Sequence, residues 1–592
     1  MKIFKKLSFL HLKKDKRSNF KKLLKKRVFP KIQKLYASIG PREKYIVGLL
    51  ALIIFGSALA IGVQLYLSNT KAQPKEGGEY REALIGLPRF LNPALSTTND
   101  VDRDLTQLLY SSLVKYDQNG NIIPDLAETF EILDEGKEYR FTLKRNLFWE
   151  DGKPLTAQDV LFTIQLIQNS QYSSSLYQSW QGVNVSIENE NIIVFKLSNA
   201  YPPFLENATV GILPSHIWEK VTAQNFTLSE LNLRPIGSGP FKVEKFTRDN
   251  SGLTSSYTLQ KNDNYHGKKP YLDRITFKFY PTEEDAIRAY NSKAVDAISF
   301  VSSANIALLK NTKSLNLHEF KIPRIFSIFF NSDAHEELKT KTIRQALNYA
   351  TNKTQIIEEV LGGFGQVAKT PIPPNLSAYY HNSLETLDYD LAKARTLLSE
   401  NGWEDVNKDG IREKTDKDGL NPQKLSFTLV TANRTELKKV AELIQNQWKE
   451  AGILLNVTTM EFGELQQVLI RPRSYQMLLF GTILSAIPDP YPFWHSSQIN
   501  DSGLNFAKYS NNDVDKLLEK TRREINDATR IEQYKELQNL IVQDAPAIFL
   551  YDPFYIYPVH KAVQGIQASF IVDTSHRFVD IENWYIETKR VF

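Results

Sequence analysis

Leu147-Phe148-Trp149-Glu150-Asp151-Gly152-Lys153-Pro154-Leu155-Thr156-Ala157-Gln158-Asp159-Val160-Leu161 packs a strand end, a tight turn and a capped helix start into one short stretch. Glu150-Asp151-Gly152 supplies the turn, because glycine tolerates positive φ and an aspartate bonds the backbone just ahead of it. Thr156 stands at an N-cap position, with Asp159 three residues on as the reciprocal partner of a capping box. Val160, Leu161, Ile164 and Ile167 follow at amphipathic spacing, predicting a helix with one buried face. None of this is catalytic chemistry. It fixes a local fold.

Working outward, the N-terminal side is unlike the rest. Residues 1–44 carry 16 Lys and Arg against 2 acidic residues, so the net charge of +6 averages a basic arm and a mildly acidic body. Tyr45 to Leu67 is uncharged and mostly apolar, and about 23 residues at 1.5 Å each span a hydrocarbon core of roughly 30 Å. The arm then sets orientation, with its N-terminus cytoplasmic and the chain beyond Leu67 outside. A cleaved signal peptide ending near Ala72 is the competing reading, but the basic region and the apolar core are both too long for one. An uncleaved anchor is expected. The arm's partner is then the bilayer, with no nucleic acid involved. With no cysteine in the chain, disulfides, thiolate metal sites, cysteine nucleophiles and lipid-modified N-terminal cysteines are excluded.

Residues 68–79 read as a polar linker. Beyond them, strand patterns (Tyr139–Leu143, Ile192–Leu197, Ile275–Phe279) interleave with helical ones (Thr342–Ala350, Asp390–Glu400, Glu436–Ala451), the signature of an α/β architecture. Several blocks recur in a fixed order along the chain. They are Gly77-Gly78 with Leu91-Asn92-Pro93, Ile123-Pro-Asp-Leu-Ala-Glu128, the Trp149–Val160 stretch and Pro235-Ile-Gly-Ser-Gly-Pro-Phe241. Asn264-Tyr-His-Gly-Lys-Lys-Pro-Tyr-Leu-Asp273, Ile343–Ala350, and Tyr389–Leu398 with Asn401-Gly-Trp403 complete them. Together they resemble the family 5 extracellular solute-binding proteins, the peptide/nickel-type receptors of ABC importers, with His266 where that family usually has Trp.

The resemblance implies a two-lobed fold of the periplasmic-binding-protein type (type II, large cluster), preceded by a single transmembrane helix. Lobe I would comprise 80–320 with an accessory subdomain at about 120–230, lobe II 321–545, and 546–592 would return to lobe I. Phe326–Asn331 and Ala547–Tyr551 are strong strand candidates near those boundaries. The implied role is a membrane-anchored extracytoplasmic receptor. It would bind an oligopeptide-like or other polar solute between the lobes and deliver it to an ABC permease with its ATPase subunits. A sensor or chaperone-like binding module on the same fold is the alternative.

Enzyme signals fail one by one. His335-Glu336-Glu337-Leu338-Lys339 lacks the second histidine of a zinc-protease helix. Gly237-Ser238-Gly239 lacks nucleophile-elbow spacing. Gly363-Phe-Gly365 follows a helical run rather than a strand, so its glycines read as helix stops. No enzyme is expected. Asp405, Asn407, Asp409, Ile411 (through its carbonyl), Glu413 and Asp416, with Gly410 at the bend, have the spacing of a calcium loop. A solvated turn is the competing reading. No other cofactor is expected.

For the ligand, the resemblance places Ser96, Thr97, Thr98 and Asn99 on one wall, where hydroxyls and an amide offer hydrogen bonds. They equally fit a loop that caps the helix starting near Val101. The other wall would come from Gly481–Trp494, including Asp489, Tyr491 and Trp494, the two aromatics either stacking on ligand or packing. Many peptide-binding relatives hold the peptide's α-ammonium with a carboxylate three residues before the acidic-Pro pair. Here that place is Ala486.

Overall fold

The structure, a computed structural model, describes residues 37–38, 40–310, 312–415 and 422–591. The basic arm up to residue 36 and Asp416 of the proposed calcium loop lie outside the described residues. The chain divides into two compact units, Met1–Pro74 with Thr588–Phe592, and Lys75–Glu587.

The first unit holds the helix Pro41–Asn69, with proline in its first turn and the Glu43 carboxylate accepting the Gly40 N–H at 2.6 Å. No residue of this helix is buried, and Leu52 and Phe55 are more than 70% exposed, so it is long and apolar enough to be a candidate membrane span. At its C-terminal end the Arg590 guanidinium donates to the carbonyls of Leu67 (3.3 Å) and Thr70 (3.2 Å), satisfying acceptors that a helix end leaves open. The predicted linker is only partly free. Lys71–Pro74 forms a strand antiparallel to Thr588–Val591, with Lys71 opposite Val591. Composition could not reveal this pairing, because the partner lies at the other end of the chain.

The second unit contains two large mixed sheets, each with its own core. In the first, the strand order is Leu315–Phe320, Tyr555–His560, Ala297–Ile298, Glu79–Ile85, Arg274–Tyr280, Thr254–Lys261 and Phe241–Arg248. In the second it is Gly365–Val367, Ala547–Pro553, Arg324–Phe330, Met477–Ile483, Ser426–Ala432 and Leu454–Met460. A four-stranded antiparallel sheet (Ala127–Leu133, Glu138–Leu143, Ile192–Lys196, Asn184–Asn189) falls inside the stretch read as an accessory subdomain. Tyr80, Trp149, Trp180 and Trp584 belong to the first half's apolar core; Phe329, Leu429, Trp448 and Trp494 belong to the second.

The chain passes between the two sheets twice. Lys321-Ile322-Pro323 joins strand Leu315–Phe320 to Arg324–Phe330, and Phe554 alone joins Ala547–Pro553 to Tyr555–His560. The second passage lies between Pro553 and Tyr555. Ala547-Ile-Phe-Leu-Tyr551 is buried along its whole length: its edges pair with Arg324–Phe330 and Gly365–Val367, and the helices Lys341–Tyr349 and Lys353–Glu359 pack against it.

The stretch that opened the reading folds as its local chemistry dictates. Gly152 sits at φ +84°, Lys153 N–H donates to the Asp151 carboxylate at 3.1 Å, and Trp149 is fully buried. Thr156 accepts from Gln158 N–H at 3.3 Å while its own N–H donates to Asp159 at 2.9 Å. The helix runs Ala157–Gln168 with Val160, Ile164 and Ile167 buried, whereas Leu161 is only half-buried at the face's edge. Asp159 does more than cap: its other oxygen accepts from Ser215 N–H at 2.9 Å and Oγ at 2.7 Å, tying the helix to the next segment.

Candidate functional site

The turn Leu91-Asn92-Pro93 leads into the short 3₁₀ helix Ser96–Thr98. Asn92 shapes the turn by accepting Ala94 N–H at 3.0 Å. Ser96 is buried, Thr97 bonds the Ser175 hydroxyl, and the Thr97 carbonyl accepts from Arg103 at 2.8 Å. Ser96 and Thr97 line a cavity of about 280 Å³ in the first half. Thr98 and Asn99 do not. Thr98 is exposed, and Asn99 caps the helix Asp100–Leu109, accepting Val101 N–H at 3.1 Å.

The opposite wall follows the strand Met477–Ile483. Asp489 accepts the Tyr201 hydroxyl at 3.1 Å and pairs with Arg522 at 3.1 Å, so its carboxylate bridges the two halves. The Arg522 guanidinium lies over the ring of Tyr491 at 4.5 Å and over that of Tyr201 at 5.1 Å. Tyr491 stacks on His495 with centroids 4.2 Å apart. Tyr491, Tyr201 and Arg522 border a second cleft, about 350 Å³, that both halves line. Trp494 is buried between Phe329 and Phe549, at 6.0 and 5.7 Å, and faces core rather than cleft. Ala486 is half-buried beside Ile487.

Ile487 brings in a residue that sequence reading missed. Its N–H donates to Glu206 Oε1 at 2.8 Å, from the half opposite. Glu206 also lines the 280 Å³ cavity. Burial pushes its carboxyl up to about 7, against the opposing pull of the Ile487 N–H and the Ser485 and Tyr116 hydroxyls. Glu206 lies in Pro202-Pro-Phe-Leu-Glu-Asn207, where no spacing or motif singles it out. Only the tertiary approach of residues 485–487 gives it a role.

Other charges at the cavity are mutually paired. Arg103 bonds Asp573 at 3.1 Å, and Lys115 bonds Glu582 at 3.0 Å with Asp125 at 3.9 Å. His266 meets Asp125 at 3.0 Å. Burial works to raise the Asp125 carboxyl, but His266 and Lys115 hold it below the usual carboxylate range.

The calcium-loop residues turn their oxygens inward on their own backbone. Asp405 accepts Gly410 N–H at 3.1 Å, Asn407 accepts Asp409 N–H at 2.8 Å, and Asp409 accepts Ile411 N–H at 2.9 Å. Asp409 also pairs with Lys424, and Asn407 donates to Glu413. Among the described residues no group of three or more His, Asp or Glu is placed to hold a metal.

The discarded enzyme signals have structural explanations. A Cβ on Gly237 would lie 1.8 Å from the Leu109 carbonyl oxygen, so that glycine permits close backbone packing. Gly362 and Gly363 take φ of +58° and +87° after the helix Lys353–Glu359, as helix stops do. His335 Nδ1 accepts Glu337 N–H at 3.3 Å at the start of a short helix.

Comparison with known proteins matches this fold. The profile of "Bacterial extracellular solute-binding proteins, family 5 Middle" matches residues 121–503. The oligopeptide-binding protein AppA of Bacillus subtilis (strain 168) is 32% identical over 552 residues, spanning 91% of this chain and 97% of that protein. A dipeptide-binding protein of Escherichia coli (strain K12) is 27% identical over 521 residues, 84% and 93% of the two chains. Among solved structures, Bacillus subtilis AppA in complex with a nonapeptide superposes with TM-score 0.68 at 30% identity, covering 87% of this chain and all of that one. NikZ from Campylobacter jejuni in complex with Ni(L-His) does so with TM-score 0.69 at 26% identity, covering 86% and 99%.

Proposed function

The chain belongs to family 5 of the bacterial extracellular solute-binding proteins, and on that footing we propose that it is a membrane-anchored receptor for an oligopeptide-like solute. It captures the solute outside the cell, at the seam between the two sheet-bearing halves, and passes it to an ABC permease driven by cytoplasmic ATPase subunits. It carries out no covalent chemistry. The helix Pro41–Asn69 is the anchor, with the basic arm on the cytoplasmic side.

The observation that carries this reading is the pair of covalent passages, Lys321–Pro323 and Phe554, between two sheets with separate cores. Two short adjacent links act as a hinge, and a solute touching both walls favours closure by as much as it prefers the closed state. Ser96 and Thr97 on one side, and Ala486, Asp489 and Tyr491 on the other, form the ligand-facing walls. Asp489 there acts through Arg522 and Tyr201, while Trp494 stiffens the wall from behind. The relatives support the solute class: one was solved with a nonapeptide and another is named for dipeptides.

Native mass spectrometry of the full chain, extracted in mild detergent, tests this directly. The expected result is a population carrying peptide-mass adducts that are released on unfolding and exchange with added peptide. A chain that neither co-purifies with peptide nor takes it up from a mixed pool would end the reading.

A further inference from the structure

The cavity that Glu206 lines has an uneven charge balance. Asp125, Asp573 and Glu582 on its walls each have a cationic partner, in Lys115, Arg103 and Lys115 respectively, and Asp125 is also bonded by His266. Glu206 is the one lining carboxylate, among the described residues, that has no ion pair. Its partners are the Ile487 N–H and the hydroxyls of Ser485 and Tyr116, all neutral donors. The further charged group acting on it, Asp489, has the same sign and is itself matched by Arg522. A carboxylate withdrawn from water without a counter-charge is costly, and an incoming cation that completes the pair is correspondingly favoured.

Its position is equally specific. By bonding Ile487 N–H across the seam at 2.8 Å, the carboxylate stands at the backbone next to Ala486, a side chain with nothing to offer a charged ligand. The short helix Phe204–Asn207, on the first half, thus delivers a negative charge to a point that the second half leaves uncharged.

Resting on the receptor reading above, we propose that Glu206 is the anchor for a positively charged amino group of the bound solute, reaching from the opposite half to the place beside Ala486. The solute class is therefore peptides or similar molecules with a free primary amine. Closure and amine recognition are then coupled, because the same carboxylate touches both halves.

The test uses the full chain in detergent with two synthetic nonapeptide pools lacking lysine, identical except that one is N-acetylated. Binding is read by native mass spectrometry at matched concentrations. Wild-type protein is expected to prefer the free-amine pool about ten- to a hundredfold, the worth of a desolvated charge-assisted hydrogen bond. Glu206→Gln should abolish that preference, with the ratio of free-amine to acetylated peptide retained falling to about one. Glu206→Asp, which keeps the charge, should retain part of the preference. Equal retention of both pools by wild type, or an undiminished preference in Glu206→Gln, would overturn this inference and leave the receptor reading standing. Retention of neither pool by wild type would overturn both.

Discussion

The two halves of the body solve the same burial problem with different chemistry. The first is stitched from separated stretches: its sheet takes strands from residues 79–85, from 241–320 and from the returning segment 555–560. At its centre Arg577, fully buried, donates to Glu82 and Asp104 at 2.7 and 2.6 Å. The second half is built from one continuous stretch between Arg324 and Pro553, around an apolar core. Among the described residues, the buried ion pairs of Arg577 with its two carboxylates lie in the first half. Apolar contact has no direction and suffices where the chain is contiguous. A returning segment must find one register among many, and paired charges penalise every wrong one.

Breaking the charge network should have the largest effect. Arg577→Met leaves two carboxylates buried without a partner and is expected to cost about 3–5 kcal/mol, read by urea unfolding. Replacing all three residues by apolar ones should recover most of that stability. A triple variant as unstable as the single would contradict the account of the network as a device for register. In the second half, Leu429→Ala opens a cavity at a fully buried position of the interior strand Ser426–Ala432 and should cost about 2–4 kcal/mol. Hydrogen exchange after that substitution should rise in the second sheet before the first.

A smaller, pH-dependent effect tests the passage between halves. Asp552 is fully buried on the strand that leads to Phe554, and burial raises its carboxyl to about 7. Gln366 bonds it at 2.8 Å, and Arg324 and Lys321 are the cations facing it, all three favouring the charged form. The folded state thus holds a proton that the unfolded chain gives up at the ordinary value of 3.8. Stability from this group is present below that value and is lost as pH rises toward 7. Asp552→Asn should therefore stabilise by on the order of 2 kcal/mol at pH 8 and change little at pH 4, as measured by thermal unfolding at both. Smallest is Thr156→Ala, which removes one cap from the accessory helix at about 1 kcal/mol.

What could be read from the sequence follows the distance over which each feature is decided. The Trp149–Leu161 turn and cap are settled within a dozen residues by glycine, aspartate and threonine acting on neighbouring backbone. Arg274–Tyr280 declares itself by alternation of apolar and polar residues, and Ala547–Pro553 by its unbroken apolar run from Ala547 to Tyr551. Asn99 was legible as either ligand wall or helix cap, and only the observed Val101 bond distinguishes its use in the fold. Glu206 and its contact with Ile487 were not legible, because they join positions 281 residues apart that carry no pattern of their own. Trp494 and Tyr491 look alike as aromatics in one loop, yet packing buries the first and leaves the second at the cleft.

The pairing of Lys71–Pro74 with Thr588–Val591 has a mechanical consequence. A pull applied at Thr70 would load the antiparallel ladder in shear, with Lys71 drawn from one end and Thr588 held at the other, rather than unzip it rung by rung. Force at that point is then shared by two strands, so removing Thr588–Val591 would leave the single filament Lys71–Pro74 to bear it.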